Sequence, residues 1–176
     1  MVKKGDTIYN PVTTERIVFT ETSADTSGRY LSYDYFVGPN HPISPKHIHP
    51  CAIEEFEVIS GELSVDMAGS VKKVTTGEKI AVYNNVPHTG WNSGTGELHL
   101  KSKITPAMAF ENYYKICFEQ AEKGKVKKNG MPGLLQLAVL GNSMKDQFYL
   151  PKFVALQKIF FFIMGPIGKI FGYKSS

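Results

Sequence analysis

His47, His49, Glu54 and His88 are the residues whose types and spacing point most directly to chemistry; they lie in HIHPCAIEEFEV and NNVPHTGWN. Three imidazoles and one carboxylate make a mixed nitrogen and oxygen donor set suited to a divalent transition ion such as iron, manganese, nickel, zinc or copper. His47 and His49 are two apart, so on a strand both point to the same face. Glu54 follows His49 by an odd step, which would send it to the other face of one straight strand. Pro50 lacks an N–H and provides a break, after which Glu54, Phe56 and Val58 share one face while Glu55 and Glu57 share the other. That puts a single carboxylate on an apolar face, a costly placement unless a cation compensates its charge.

In this pattern the chain resembles the cupin family. His47, His49, Glu54 and Gly61 follow the first family motif; Gly77, Pro87, His88 and Asn92 follow the second. The resemblance spans roughly residues 28–104, and it implies that His47, His49, Glu54 and His88 are the ligands of one metal ion. Two departures bear on loop shape rather than on the ligands. Gly38 stands further upstream than in the family pattern, leaving an insert PNHPISPK, and Pro87 directly precedes His88. The chain is also similar over nearly its full length to a group of small bacterial cupins, through Asn10-Pro11-Val12, His47-Ile48-His49-Pro50 and Gly172-Tyr173. That second likeness supports reading the C-terminal segment as part of the fold and supplies no reaction.

The elements that must position these residues are strands up to about residue 104. RIVFTETSADTSGRYLSYDYFVGP offers two strands around a polar turn, and FEVISGELSVDM a hairpin turning at Ser60-Gly61-Glu62. Ala68-Gly69-Ser70 turns into VKKVTT, and ELHLKSKI alternates Leu98, Leu100 and Ile104 against His99, Lys101 and Lys103. Short strands with glycine-rich turns indicate a sandwich or barrel. The resemblance selects a mainly β fold, a cupin-type double-stranded β-helix or jelly roll. After Pro106 the period becomes helical. Phe110, Tyr113, Tyr114, Cys117 and Phe118 form one stripe, ending at Gly124. A second helix follows Pro132, weakened at Gly141. A third follows Pro151 and is expected to break at Gly165-Pro166. The expected organisation is a barrel over 1–105 and a helical C-terminal extension over 106–176, packed on the barrel or on a partner subunit.

The chain has 176 residues, 42% hydrophobic and 20% charged, as expected of one globular domain. Net charge is +4, unevenly spread: residues 1–104 carry 10 basic and 12 acidic side chains, residues 105–176 carry 10 basic and 4 acidic. Arg16 and Arg29 are the arginines, too few for forked phosphate recognition, so no nucleic-acid partner is expected. Cys51 and Cys117 do not make a disulfide framework, and MVKKGDTIYNP lacks an apolar leader; the expected location is the reducing cytoplasm. Cys51 reads as a small packed side chain ahead of a thiol acting beside the ligands.

Tyr33, Tyr35, Phe56, Tyr83 and Trp91 are candidates to line a pocket above the metal, with barrel core as the competing reading. Asn92 reads as a loop-ordering residue and His99 as part of an exposed strand face. His41 carries no functional reading. Gln157, Lys158, Gly165-Pro166 and Lys169 interrupt the apolar tail, so no transmembrane span is expected. Packing on the barrel or a partner is the leading reading of 151–176, with peripheral membrane contact second and homodimerisation a further expectation. The functional expectation is a metal-binding cupin that acts as an enzyme on a small organic molecule, by oxygenation or isomerisation. Glu54 is its candidate catalytic base beside its ligand role. The alternative is a non-catalytic module that binds a small molecule.

Overall fold

The computed structural model describes residues 2–175. Nine strands are followed by three helices: β1 (Thr7–Asn10), β2 (Glu15–Glu21), β3 (Leu31–Val37), β4 (Ile53–Ser60), β5 (Glu62–Met67), β6 (Ser70–Thr75), β7 (Lys79–Val82), β8 (His88–Asn92), β9 (Leu98–Thr105), α1 (Phe110–Glu122), α2 (Leu134–Ser143) and α3 (Val154–Ile170). The strands pair antiparallel in two sheets, one ordered β1-β2-β3-β9-β4-β7 and the other β6-β5-β8. Their inner faces enclose a core of Ile17, Phe19, Leu31, Val58, Leu63, Leu98, Leu100 and Ile104. The fold is mainly β, a jelly roll with C-terminal helices.

Alternation sets the inward faces. On β4, Glu54, Phe56 and Val58 are buried while Glu55 is exposed, the parity expected after the Pro50 break. On β9, Leu98, Leu100 and Ile104 are buried and Lys101 and Lys103 point away. Gly61 turns β4 into β5 at φ 91°, where a side chain would be strained, and a Cβ there would lie 3.0 Å from the Leu98 Cα. Buried Asn92 ends β8 and ties two loops together. Its Nδ2 donates to the carbonyls of Val37, Gly38 and Gly96, and its Oδ1 accepts from the Gly94 N–H.

The insert after Gly38 lies against β8. Ile43 N–H donates to the Gly90 carbonyl and Asn92 N–H to the His41 carbonyl, so the insert extends the smaller sheet and leads the chain into His47. β1 was not separately anticipated; it pairs with β2 and packs against α1.

One expectation for the tail, the break at Gly165-Pro166, is corrected. α2 runs through Gly141 unbroken, because the Phe161 ring of α3 occupies the space a side chain would need, with Cδ2 2.7 Å from a built Cβ. α3 does not break at Gly165-Pro166 but continues to Ile170. Pro166 forfeits one backbone bond, yet Gly165 and Gly168 lie so close to α2 that packing holds the helix through it. Among the described residues, no helix is long and apolar enough to cross a membrane.

Candidate metal centre

Three chain segments bring the donor atoms together. His47 and His49 lie on the extended run before β4, Glu54 on β4 itself, and His88 opens β8. His47 and His88 exchange both backbone bonds, at 2.8 and 2.9 Å, which clamps the two motifs to each other. The His49 carbonyl accepts from Asn85 N–H at 2.9 Å. All four side chains are buried, and one donor atom from each lies within 4.8 Å of the others.

Hydrogen bonds on the outer ring nitrogens settle the tautomers. His47 Nδ1 is 2.8 Å from the Pro45 carbonyl, His49 Nδ1 2.7 Å from the Gln147 carbonyl, and His88 Nδ1 2.9 Å from the Val86 carbonyl. A carbonyl only accepts, so each Nδ1 carries a proton and each Nε2 faces inward, where it presents a lone pair whenever the ring is neutral. His47 Nε2 and His49 Nε2 are 3.0 Å apart. Glu54 Oε2 lies 3.2 Å from His88 Nε2 and 3.6 Å from His49 Nε2. Acceptors this close repel unless a proton or cation lies among them. Donors bound at ~2.0–2.2 Å to one ion stand roughly 3–3.6 Å apart, so the set fits a single divalent ion. The backbone acceptors behind the rings are the partners that orient ligand histidines in metal sites.

Electrostatics follow from crowding. Burial, together with the charges of His49 and His88, pushes His47 down to about 3. Burial also disfavours a charged His49, but contact with Glu54 outweighs it and raises its pKa. Burial opposes ionisation of Glu54 as well. Hydrogen bonds from His49 and His88 overcome it and hold the carboxyl well below the usual carboxylate range.

The aromatic contacts differ from expectation. Phe148, from the α2–α3 connection, stacks on His47 with centroids 4.6 Å apart at 22°, and Phe110 of α1 meets His49 edge-on at 5.2 Å. Ile48 and Tyr149 exchange backbone bonds of 2.8 and 3.1 Å, so residues 147–149 add a short strand beside the ligand run. Sequence reasoning missed this segment; Phe148-Tyr149 between two helices was its one visible trace.

The five residues proposed as a pocket wall do not form one surface. Tyr83 is 62% exposed, since it follows the end of β7 in a turn. Phe56 borders a groove with Glu57, Lys79 and Lys101 on the β4–β7 side. Trp91 is half-buried and bridges Pro42 of the insert. Tyr33 is core, its hydroxyl 2.9 Å from that of Tyr114. Tyr35 borders a cavity of about 240 Å³ with Glu15, Ser44, Pro45, Tyr113 and Tyr114. Pro45, one of its bordering residues, accepts from His47 Nδ1, so the cavity lies on the outer side of that ring and none of the four donor residues lines it. Buried Glu15 accepts from the hydroxyls of Thr13 and Tyr35, and burial raises its pKa against both bonds. Glu15 and Tyr35 are distant in sequence, and no motif linked them. Burial and the Glu54 charge hold Tyr33 and Tyr114 well above the ordinary phenol value. His99 pairs with Asp34 at 3.0 Å and stacks on Phe36, so it belongs to the sheet's outer face.

Residues 35–102 match the family model described as cupin domain. Three solved structures are similar over part of the chain. KdgF from Halomonas sp. is 10% identical, covering 52% of this chain and 78% of its own, with a TM-score of 0.47. The cupin domain of an XRE family transcriptional regulator from Enterobacter cloacae is 20% identical, covering 52% and 95%, at 0.46. Ectoine synthase from P. lautus is 15% identical, covering 58% and 72%, at 0.48. No curated protein sequence matches the chain.

Proposed function

Proceeding from a chain that belongs to the cupin superfamily, we propose a metal-dependent enzyme that acts on a small organic molecule by oxygenation or isomerisation. One observation carries the metal reading: three Nδ1–H groups tied to backbone carbonyls leave three Nε2 lone pairs and the Glu54 carboxylate facing one buried point. A divalent transition ion held by His47, His49, Glu54 and His88 would supply Lewis acidity toward a substrate oxygen and, if iron or manganese, redox chemistry.

The protein's own contribution is positioning and proton control. The cavity bordered by Tyr35, Pro45 and Tyr114, about 240 Å³, is below the ~300–1,000 Å³ of sites for drug-sized ligands, which favours a small metabolite. Tyr114 borders it and, through Tyr33, offers phenol hydrogen bonds on the side that feels the Glu54 charge. Both phenols stay protonated at neutral pH and so serve as donors. Glu54 stays ionised, so it is an acceptor able to take a proton from bound substrate. Two free thiols fit a reducing cytoplasm.

The test is turnover after metal analysis. Protein purified without added metal is assayed for bound ions, then incubated with small enol and carbonyl acids in air and under argon. Conversion by the loaded protein, lost in Glu54→Gln with metal retained, is the expected result. A ligand that binds but returns unchanged in both atmospheres would establish a binding module instead.

A further inference from the structure

α3 is built with its small residues inward and its bulky ones outward. Its buried positions are Gly165 and Gly168, pressed on α2: a Cβ at Gly168 would lie 2.4 Å from Val139 Cγ2, and one at Gly165 2.6 Å from Asn142 Cβ. The opposite face carries Leu156, Ile159, Phe162, Ile163, Ile167 and Ile170, spaced by three or four residues. Leu156 is 63%, Phe162 68% and Ile170 83% exposed. Phe153 and Phe171 extend this stripe at either end of the helix, both more than two-thirds exposed. An amphipathic helix on a water-facing surface carries the reverse arrangement. A contiguous apolar stripe along a helix about 26 Å long marks an interaction surface.

The charges identify the occupant. From residue 147 onward every charged side chain is a lysine: Lys152, Lys158, Lys169 and Lys174. Lys158 and Lys169 are eleven residues apart, three helical turns, so they line one flank of the apolar stripe. At its C-terminal end, Lys125 and Lys174 border one groove with Phe171, in which Glu119 pairs with Lys115 and Lys123. A second copy docked on this face would bring lysine flanks together. Asp146, the acidic residue beside the helix, is already engaged by Lys158 at 2.6 Å. Anionic headgroups satisfy the lysines while acyl chains take the stripe, and the helix is too short and interrupted to cross.

We propose that α3 lies in the plane of an anionic lipid bilayer, inserting Leu156, Ile159, Phe162, Ile163 and Ile170 between headgroups that Lys152, Lys169 and Lys174 contact. This inference does not depend on the metal-enzyme reading. It brings the membrane close to the centre, because Phe161 of α3 stacks on Tyr149, whose backbone pairs with Ile48 between two ligand histidines.

Co-sedimentation of the full chain with vesicles tests it. Binding is expected to vesicles of equal parts phosphatidylcholine and phosphatidylglycerol, roughly tenfold or more weaker to phosphatidylcholine alone, and decreasing with salt. Ile159→Ser/Phe162→Ser/Ile163→Ser alters exposed positions and is expected to keep its circular dichroism while losing vesicle binding. Lys152→Gln/Lys169→Gln/Lys174→Gln is expected to lose the preference for the anionic lipid. Failure of the unmodified chain to sediment with either vesicle would overturn the proposal. So would a dimer in light scattering that the triple serine variant abolishes, since a second copy would then cover the face.

Discussion

Each ligand imidazole is fixed at both nitrogens, the outer by a backbone carbonyl and the inner by its neighbours. Removing one ring removes a donor and leaves the carbonyl anchors of the other two in place. His88→Ala is expected to lower metal content from about one ion per chain to near zero, measured by elemental analysis; unchanged content would refute the assignment. Protons compete for the same centre. In metal-free protein His49 has a raised pKa and His47 is pushed down to about 3, so of the two rings it is His49 that holds a proton a metal must displace. Titration calorimetry in buffers of different ionisation enthalpy should show about one proton released per ion.

Stability follows pH in the matching sense. The unfolded chain protonates residue 47 below its ordinary 6.5, whereas the folded chain does so only near 3. The unfolded state thus binds more protons across that window, and metal-free stability falls as pH drops through it. His49 has the opposite sign, its contribution present below 6.5 and lost as pH rises through its raised value, so it does not cancel the acid slope. Urea midpoints measured in chelator from pH 7 to pH 3 should decline, less steeply in His47→Gln. Away from the centre, Asn92→Ala strands several loop groups at once. A loss of ~2–4 kcal/mol in urea unfolding is expected, with metal content retained.

At the scale of elements, the ligand run is held from two sides. β8 clamps His47 through His88, while residues 147–149 pair with Ile48 and supply the carbonyl that orients His49. This second clamp hangs between α2 and α3, so the packing of those helices bears on the centre. Gly168→Ala tests that link. Alanine in an exposed helix would gain ~0.5–1 kcal/mol, but here its Cβ meets Val139 Cγ2 at 2.4 Å. Overpacking should dominate, with a net loss of ~1–3 kcal/mol and faster tryptic cleavage near Lys152. A stabilised variant would mean that the two helices separate easily.

For the molecule as a whole, a metal held at this candidate centre would act as a closure device. Its donors come from the run before β4, from β4 and from β8, which belong to different sheets, so an ion bound there is bound only by the closed barrel. An ion at a hundredfold excess over its Kd adds ~2.7 kcal/mol to the folded state. With ~2–4 °C per kcal/mol for a chain of this size, chelation should lower Tm by roughly 5–10 °C and re-addition should restore it. A Tm indifferent to chelator, in protein shown to lose its ion, would place the donors outside the cooperative unit.

The sequence by itself determined the candidate ligands and the faces of the strands. Two-residue periodicity is a local property, so His47 with His49, and Glu54 with Phe56 and Val58, could be placed from spacing and one proline break. Gly61 was legible for the same reason, because its turn demands positive φ. Contacts made by backbone groups leave no side-chain signature. The Gln147 carbonyl behind His49, the insert paired to β8 and the Tyr149–Ile48 bridge were therefore decided by tertiary structure alone. The Glu15–Tyr35 contact joins residues from adjacent strands of one sheet, and only the register of β2 on β3 sets it. Pro166 and Gly165 read locally as a stop, yet α3 continues, because close packing on α2 outweighs one lost backbone bond. That same packing turns the small face of the helix inward and leaves its large apolar residues outside.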